Sequence, residues 1–348
     1  MQIMAQCAQR AVWGGVDTHR DQHVAAIVDT LGSTIATRAF AATGQGYCEL
    51  LVWMLDHGQI TAIGIEGTGS YGAGLASYLA SCNIVIREID RPDRKGRRGR
   101  GKSDALDAVA AAGATLRGER IVHPKERGGA VESLRNLRIA RSSAVSQRAN
   151  TQRQIKSLIV TAPEVLRAEL RSLSVPKLIR RCASLRPNKE RITESEHAVK
   201  YTLRTLARRH QQLTAEVNEL DQLLKQLVCH IKPVLLEQQG IGVEIAGQLL
   251  ITAGENPERL RNEGAFAMLC GVAPIPASSG RTQRHRLNRG GDRQANRALF
   301  TIALVRMGRD PRTQAYVQKR TKEGLSKLEI MRCLKRYIAR DIHRILTT

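Results

Sequence analysis

Positions 199, 203, 206, 210, 213, 217, 220, 224, 227 and 231 are Val, Leu, Leu, His, Leu, Val, Leu, Leu, Leu and Ile. They alternate by four and three without a slip, a heptad seam sustained over more than four heptads. No other feature constrains the fold as strongly, because an apolar stripe of that length needs a partner to cover it. Two partners are open: the segment 131–160 folding back, or a second subunit. His210 is the one polar residue in the seam and reads as a tolerated imperfection rather than a register-setting device. The surrounding sequence, from about 130 to 235, is polar, rich in Arg and Gln, and helical in texture.

Upstream, the periodicity changes. "AVWGGVD" (11–17), "HVAAIVD" (23–29) and "STIATRAF" (33–40) are short β-rich runs separated by turn residues, which predicts an antiparallel meander. The run 46–58 has helical spacing and stops at Gly58. A buried-type strand (61–67), a small-residue helix (71–83) and a further strand (84–90) follow. Beyond a basic loop, "GKSDALDAVAAA" (101–112) is an alanine-rich helix opened by Ser103. Downstream of Pro233, "LLEQQGIGVEIAGQLLITAG" (235–254) reads as helix, Gly-Ile-Gly, helix. Such a turn can aim backbone N–H groups at a phosphate, but it is also a common way to join two helices.

The chain of 348 residues carries 55 Lys and Arg against 32 Asp and Glu, a net charge of +23. A surplus that large repels itself, and a polyanionic partner, most commonly nucleic acid, explains it. Aromatic residues are only 3%, too few for a base-stacking platform, so phosphate contacts are expected to dominate. Two stretches concentrate the charge. One holds Arg91, Arg94, Lys95, Arg97, Arg98, Arg100 and Lys102; the other holds Arg281, Arg284, Arg286, Arg289, Arg293 and Arg297. Seven scattered cysteines without a C-x-x-C pair argue against zinc ribbons and a disulfide framework. The N-terminus lacks the apolar core of a signal peptide and no apolar run has membrane-spanning length, so the expected location is the cytoplasm.

Inside this positive chain four acids occupy suggestive positions. Asp17 ends the first strand and Glu66 ends the strand 61–67, where side chains can project from a sheet edge. Asp104 and Asp107, at i and i+3, share one helix face. Taken singly each has an ordinary explanation: a turn residue, a solvated strand end, or helix-start acids that favour the positive end of the helix dipole. Taken together, four carboxylates from two strand ends and one helix would hold two divalent cations about 4 Å apart. All-oxygen ligands suit Mg2+ or Mn2+. The order of acids along the strands and helix is that of the ribonuclease H-like nucleases, in their Holliday-junction-resolvase (RuvC) branch.

On these segments the chain resembles the IS110 family of insertion-sequence transposases over nearly its full length. The N-terminal likeness lies in "GGVDTHRDQHVAAIVD", "IGIEGTGSYG" and "GRGKSDALDAVAAA", and the C-terminal one in "GIGVEIAGQLL" and "APIPASSG". The resemblance implies that Asp17, Glu66, Asp104 and Asp107 form the family's Asp-Glu-Asp-Asp site. Its Ala-Pro, four residues, Ser-Gly pattern falls on Ala273, Pro274, Ser279 and Gly280, which makes Ser279 the nucleophile that becomes linked to DNA, with Ser278 adjacent to it as the fallback. It further implies double-stranded donor and target DNA, a structured guide RNA from the same element, and a homo-oligomer, dimer or tetramer, joined through the coiled coil. An active site composed from two chains and association with a prokaryotic nucleoid belong to the same implication.

The expected architecture is therefore α/β plus all-α. It comprises an RNase H-like catalytic domain (1–125), a helical coiled-coil region (126–234), and a mostly helical C-terminal domain (235–348) with a helix-hairpin-helix-like element. Two other functions fit the residues: a structure-specific endonuclease that hydrolyses with water, and an architectural nucleic-acid-binding protein without catalysis. A covalent protein–DNA adduct separates the first from a serine recombinase, and absence of any Mg2+-dependent product marks the second.

Overall fold

The computed structural model describes residues 10–89, 103–119, 121–126, 128–257, 260–280 and 285–348. The chain divides into two compact units, 1–127 and 128–348. The first basic stretch, Arg91 to Lys102, lies outside the described residues, as do Arg281 and Arg284.

The N-terminal unit is built on a sheet of six strands in the order β3-β2-β1-β4-β5-β6. These are β1 (Ala11–Thr18), β2 (Gln22–Val28), β3 (Thr34–Ala41), β4 (Gln59–Glu66), β5 (Ile86–Ile89) and the two-residue β6 (Ile121–Val122). The first three form the expected antiparallel meander, while β4 runs parallel to β1 and β5 parallel to β4. The intervening helices are α1 (Gly44–Leu55), α2 (Ala73–Ser81) and α3 (Asp104–Arg117).

Strand alternation sends successive side chains to opposite faces, and here the two faces are made of different residues. Val12, Val16, Ile27, Ile63 and Ile65 turn to one side and pack with Leu50 and Met54 of α1 and Leu75 and Leu79 of α2. Across the sheet, Gly15 and Gly64 are register partners. A Cβ on Gly15 would lie 2.1 Å from the Ala112 backbone nitrogen, and one on Gly64 would lie 2.0 Å from Thr115 Oγ1. Helix α3 thus rests directly on the strand backbones, with Ala108, Ala111 and Ala112 buried beneath it. Bulky residues fill one layer, and absent side chains permit the other.

Among the described residues, the C-terminal unit is helical apart from two short paired strands. Helices α4 (Ala130–Val160), α5 (Glu164–Leu170), α6 (Val175–Ala183) and α7 (Ser195–Ile231) come first, followed by α8 (Val234–Glu237), α9 (Val243–Ala253) and α10 (Glu263–Leu269). Strands β7 (Ile275–Pro276) and β8 (His285–Arg286) pair antiparallel, and α11 (Arg293–Arg309), α12 (Pro311–Lys322) and α13 (Lys327–Thr347) close the chain. Of the two partners open to the heptad seam, the chain takes its own α4. Ile155 packs in one cluster with Leu203, Ala144 with Leu213 and Val217, and Leu134 with Leu224 and Val228, so the two long helices run antiparallel. The seam is consumed within the chain, and a homo-oligomer would have to form on other surfaces.

Burial along α7 follows 213, 217, 220 and 224 in the middle but moves to Ala207 and Val228 at the ends. A straight helix drifts against a 3.5-residue repeat, which accounts for the move from 227 to Val228 at the C-terminal end. His210 sits half-buried toward Arg148 of α4, and burial together with that cation pushes its pKa down. The larger core joins the C-terminal end of α7 to α9, α10, α11 and α13 around Phe266. Around the Gly-Ile-Gly turn the first arm is the single turn α8, and Gly240, at φ +85°, lies against α11.

Candidate active site

Asp17 stands one residue before the end of β1. The β1–β4 pairing runs from Ala11 beside Gln59 to Val16 beside Ile65, so Asp17 and Glu66 are the next residues of the two strands. By strand alternation both share the face of Gly15 and Gly64, the face under α3. The adjacent Thr18 hydroxyl donates to the Glu66 backbone carbonyl at 2.8 Å and ties the strand ends together.

Helix α3 supplies the second pair. Ser103 caps its N-terminus, its hydroxyl accepting from the Leu106 N–H, and Gly118 ends it in the left-handed conformation. Its sheet-facing stripe consists of Ala108, Ala111, Ala112 and Thr115. Continued toward the N-terminus at helical spacing, the same stripe carries Asp107 and Asp104. The aspartates are the polar end of the packing stripe, held over the strand ends because the alanines behind them touch the strand backbones. The helix-start acids are thus also the residues placed nearest the strand ends on this stripe.

One close neighbour of Asp17 was not foreseen. His19 Nε2 lies 3.2 Å from Asp17 Oδ2 and 3.4 Å from Asp104 Oδ1. Asp17, His19 and Asp104 each offer a ligand atom within 4.8 Å of the others. Glu66 and Asp107 are outside that tight group among the described residues, though both are half-buried nearby. Asp107 acts on Asp17 electrostatically: burial raises the Asp17 pKa above the usual carboxylate value, His19 opposes this, and Asp107 and Asp104 raise it further. A buried carboxylate crowded by two others favours whatever cation can enter. His19 had a signal, since a residue two positions along a strand direction returns to the same face.

The serine candidates belong to the C-terminal unit. Ser278, Ser279 and Gly280 are exposed beyond β7, and Gly280 takes φ +55° with open space around it. The base of this loop is tightly held. Gly291 comes so close to Gly271 that a Cβ on Gly291 would lie 2.2 Å from the Gly271 nitrogen. The Asp292 N–H donates to Leu269 O at 2.7 Å, and Asn296 Nδ2 donates to the carbonyls of Cys270 and Gly271. Asp292 also caps α11. Arg286, Arg289, Arg293 and Arg297 are exposed, the last two on one face of α11. No helix among the described residues is long and apolar enough to cross a membrane.

An α/β unit with carboxylates gathered at its strand ends, joined to a basic helical unit, is the arrangement of an enzyme that acts on nucleic acid, and sequence comparison names the class. Residues 14–162 match a DEDD-type family model described as a transposase, and residues 232–318 match one described as "Transposase IS116/IS110/IS902 family". The chain is 25% identical to the 42 kDa protein of insertion element IS900 from Mycobacterium paratuberculosis over 90% of both chains. It is 35% identical to the 43.6 kDa protein of insertion element IS110 from Streptomyces coelicolor over 115 residues, which is 32% of this chain and 26% of that one. The chain belongs to the IS110 family of transposases.

Proposed function

We propose that the protein recombines DNA through two sets of groups: Asp17, Glu66, Asp104 and Asp107 as a divalent-metal site in a ribonuclease H-like unit, and Ser279 as the nucleophile. The observation that carries this is the convergence of Asp17 and Asp104 at the strand ends, with the pKa of Asp17 raised by burial and, beyond that, by Asp107 and Asp104. The strand order, with β4 and β5 parallel to β1 and the meander on its other side, supports the ribonuclease H-like reading.

The carboxylates fit Mg2+ or Mn2+, because hard oxygen donors dominate; the His19 nitrogen is better suited to Mn2+. When bound, a pair of such ions supplies charge stabilisation to the entering and leaving oxygens of a phosphodiester. The chain's own groups do the rest. Ser279 Oγ forms a bond to phosphorus and its proton passes to solvent, while the displaced deoxyribose oxygen takes up a proton. The strand end is then held as a phosphoserine ester, which a second strand's hydroxyl resolves. Arg281 and Arg284 neutralise the non-bridging oxygens. Exposed Arg286, Arg289, Arg293 and Arg297, with the basic stretch from Arg91 to Lys102, bind backbone phosphates of donor and target DNA and of a guide RNA. Sequence choice then rests on base pairing, in a homo-oligomer in the bacterial cytoplasm.

Ser279→Ala and Asp104→Ala should each abolish recombination while leaving DNA binding within about threefold of wild type, since neither removes a cation that contacts phosphate. A suicide substrate should trap a covalent adduct whose mass maps to Ser279. Normal recombination by Ser279→Ala removes the serine from the mechanism, and cleavage without any adduct assigns the reaction to water.

A further inference from the structure

Near the base of the serine loop the C-terminal unit contains a pocket of about 750 Å3. One wall is helix α13, which contributes Arg332, Lys335, Arg336 and Arg340 at helical spacing that turns them to one side. The other wall is the chain entering and leaving the β7–β8 hairpin, with Val272 to Pro274, Arg286 and Leu287.

The charge on these walls is not balanced. Arg336 Nη2 and Arg340 Nε share the single carboxylate of Glu263, at 2.9 and 2.6 Å. Glu329, the acid in the lining, is engaged by Ser326 at the start of α13. Lys335 donates to the neutral Asn296 Oδ1 at 2.9 Å. Burial and Arg332 together push the Lys335 pKa down, as expected where cations crowd one another. Arg336 Nη1 is buried and lacks a hydrogen-bond partner. Five Arg and Lys side chains thus face two carboxylates, and a buried guanidinium N–H is still to be satisfied.

The pocket also has an apolar side, and it is exposed. Leu287 and Tyr337 are 51% and 47% accessible although both are large. Tyr337 carries the Arg340 guanidinium 5.8 Å from its ring centroid. A cationic helix wall that also carries the exposed Tyr337, facing the exposed Leu287 of the other wall, fits a molecule with an anionic group and a flat group side by side. A duplex is roughly 20 Å across and cannot enter a concavity of this size, whereas one nucleotide can.

We propose that this pocket takes a single unpaired nucleotide of a nucleic-acid strand, with its phosphate on Arg332, Lys335 and Arg336 and its base against Tyr337 and Leu287. The proposal rests on the reading of the protein as one that handles nucleic acid, but not on the serine chemistry. It places an unstacked residue of the strand beside the loop that carries Ser279.

The test uses the full chain and an oligonucleotide of about twelve residues containing one 2-aminopurine, whose fluorescence rises when it leaves the stack. It is presented as a single strand, in a perfect duplex, and in a duplex with the 2-aminopurine bulged out. Wild type should bind the single strand and the bulge with a rise in fluorescence, and the perfect duplex without one. Arg332→Glu, at an exposed position, should weaken single-strand binding about tenfold and lower the salt slope by about 0.7 for each phosphate that the variant no longer neutralises. Tyr337→Ser should leave the salt slope unchanged and remove the fluorescence rise. Wild-type behaviour of both variants overturns the proposal. So does complete displacement of the strand by inorganic phosphate at equal concentration, which would make the pocket a small-anion site. Ser279→Ala run in parallel separates the two readings. Retained binding and fluorescence in a variant that still recombines would sink the serine and leave the pocket standing, while loss of the signal only in Tyr337→Ser and Arg332→Glu would leave both in place.

Discussion

In the N-terminal unit the acids are held by backbone laid on backbone: Gly15 and Gly64 admit α3 so closely that no side chain fits between. In the C-terminal unit Ser279 is exposed on a loop whose base is held by Gly271 against Gly291 and by the hydrogen bonds of Asp292 and Asn296. The carboxylates are placed by tertiary packing and the serine by a short hairpin. Rigid placement suits groups that must bind an ion at fixed geometry. A held base with an exposed serine suits the nucleophile proposed above, which would have to reach a phosphorus atom and then carry a strand.

The contrast breaks first at Gly15. Gly15→Ala drives a methyl into the Ala112 and Ala108 backbone and should cost about 3–5 kcal/mol, unfolding the N-terminal unit or lifting α3 from the sheet. Thermal melting and hydrogen exchange of the α3 amides would register it. Gly280→Ala, left-handed but in open space, should cost only about 1 kcal/mol. Equal costs for the two substitutions would end the distinction.

The next effect comes from Asp17. Its raised pKa means that the ion-free unit is favoured with the carboxyl protonated: that stability is present below the ordinary value of 3.8 and is lost as pH rises through the folded value. Mn2+ or Mg2+ at about a hundred times its dissociation constant should restore roughly 2.7 kcal/mol at pH 7, and much less below pH 4. Asp17→Asn should raise the ion-free melting temperature at pH 7 and abolish the metal-induced shift. A shift that survives in Asp17→Asn would move the ion elsewhere.

The smallest effect tests the opposite face of the sheet. His23 on β2 is fully buried, stacked on Tyr47 at 5.7 Å, with neither ring nitrogen hydrogen-bonded. Burial lowers its pKa below 6.5, so its contribution is present above pH 6.5 and is lost as pH falls through the folded value. His23→Phe should flatten the decline of stability as pH falls below 6.5, without altering the metal response. An unchanged acid limb would assign that decline to other groups.

Much of this molecule was legible in its sequence. Strands β1 to β5 and helices α1 to α3 lie within a few residues of their expected places, because alternation, turn residues and the Ser103 cap are local signals. Asp17 and Glu66 were visible as strand-end acids, and Asp104 with Asp107 as a helix-face pair. The seam on α7 was visible as a demand for a partner, but not as a demand for α4, since an apolar stripe specifies only what must cover it. His19 went unnoticed although it follows Asp17 by two positions. The basic pocket went unnoticed because its walls, around 272 and 287 and from 332 to 340, are far apart along the chain.

By itself the sequence determined the periods, the breaks between them, the charge surplus and the identity of the acids, all properties of residues within a turn or a strand of one another. Only the tertiary structure decided that α3 lies on the backbone of β1 and β4, that His19 stands between Asp17 and Asp104, and that five cations line a pocket with one carboxylate, Glu329. The reason is range. Periodicity is written in neighbours, whereas a close approach such as Gly15 to Ala112 depends on side chains that are absent, and a missing side chain carries no pattern until the helix that needs the space is in place.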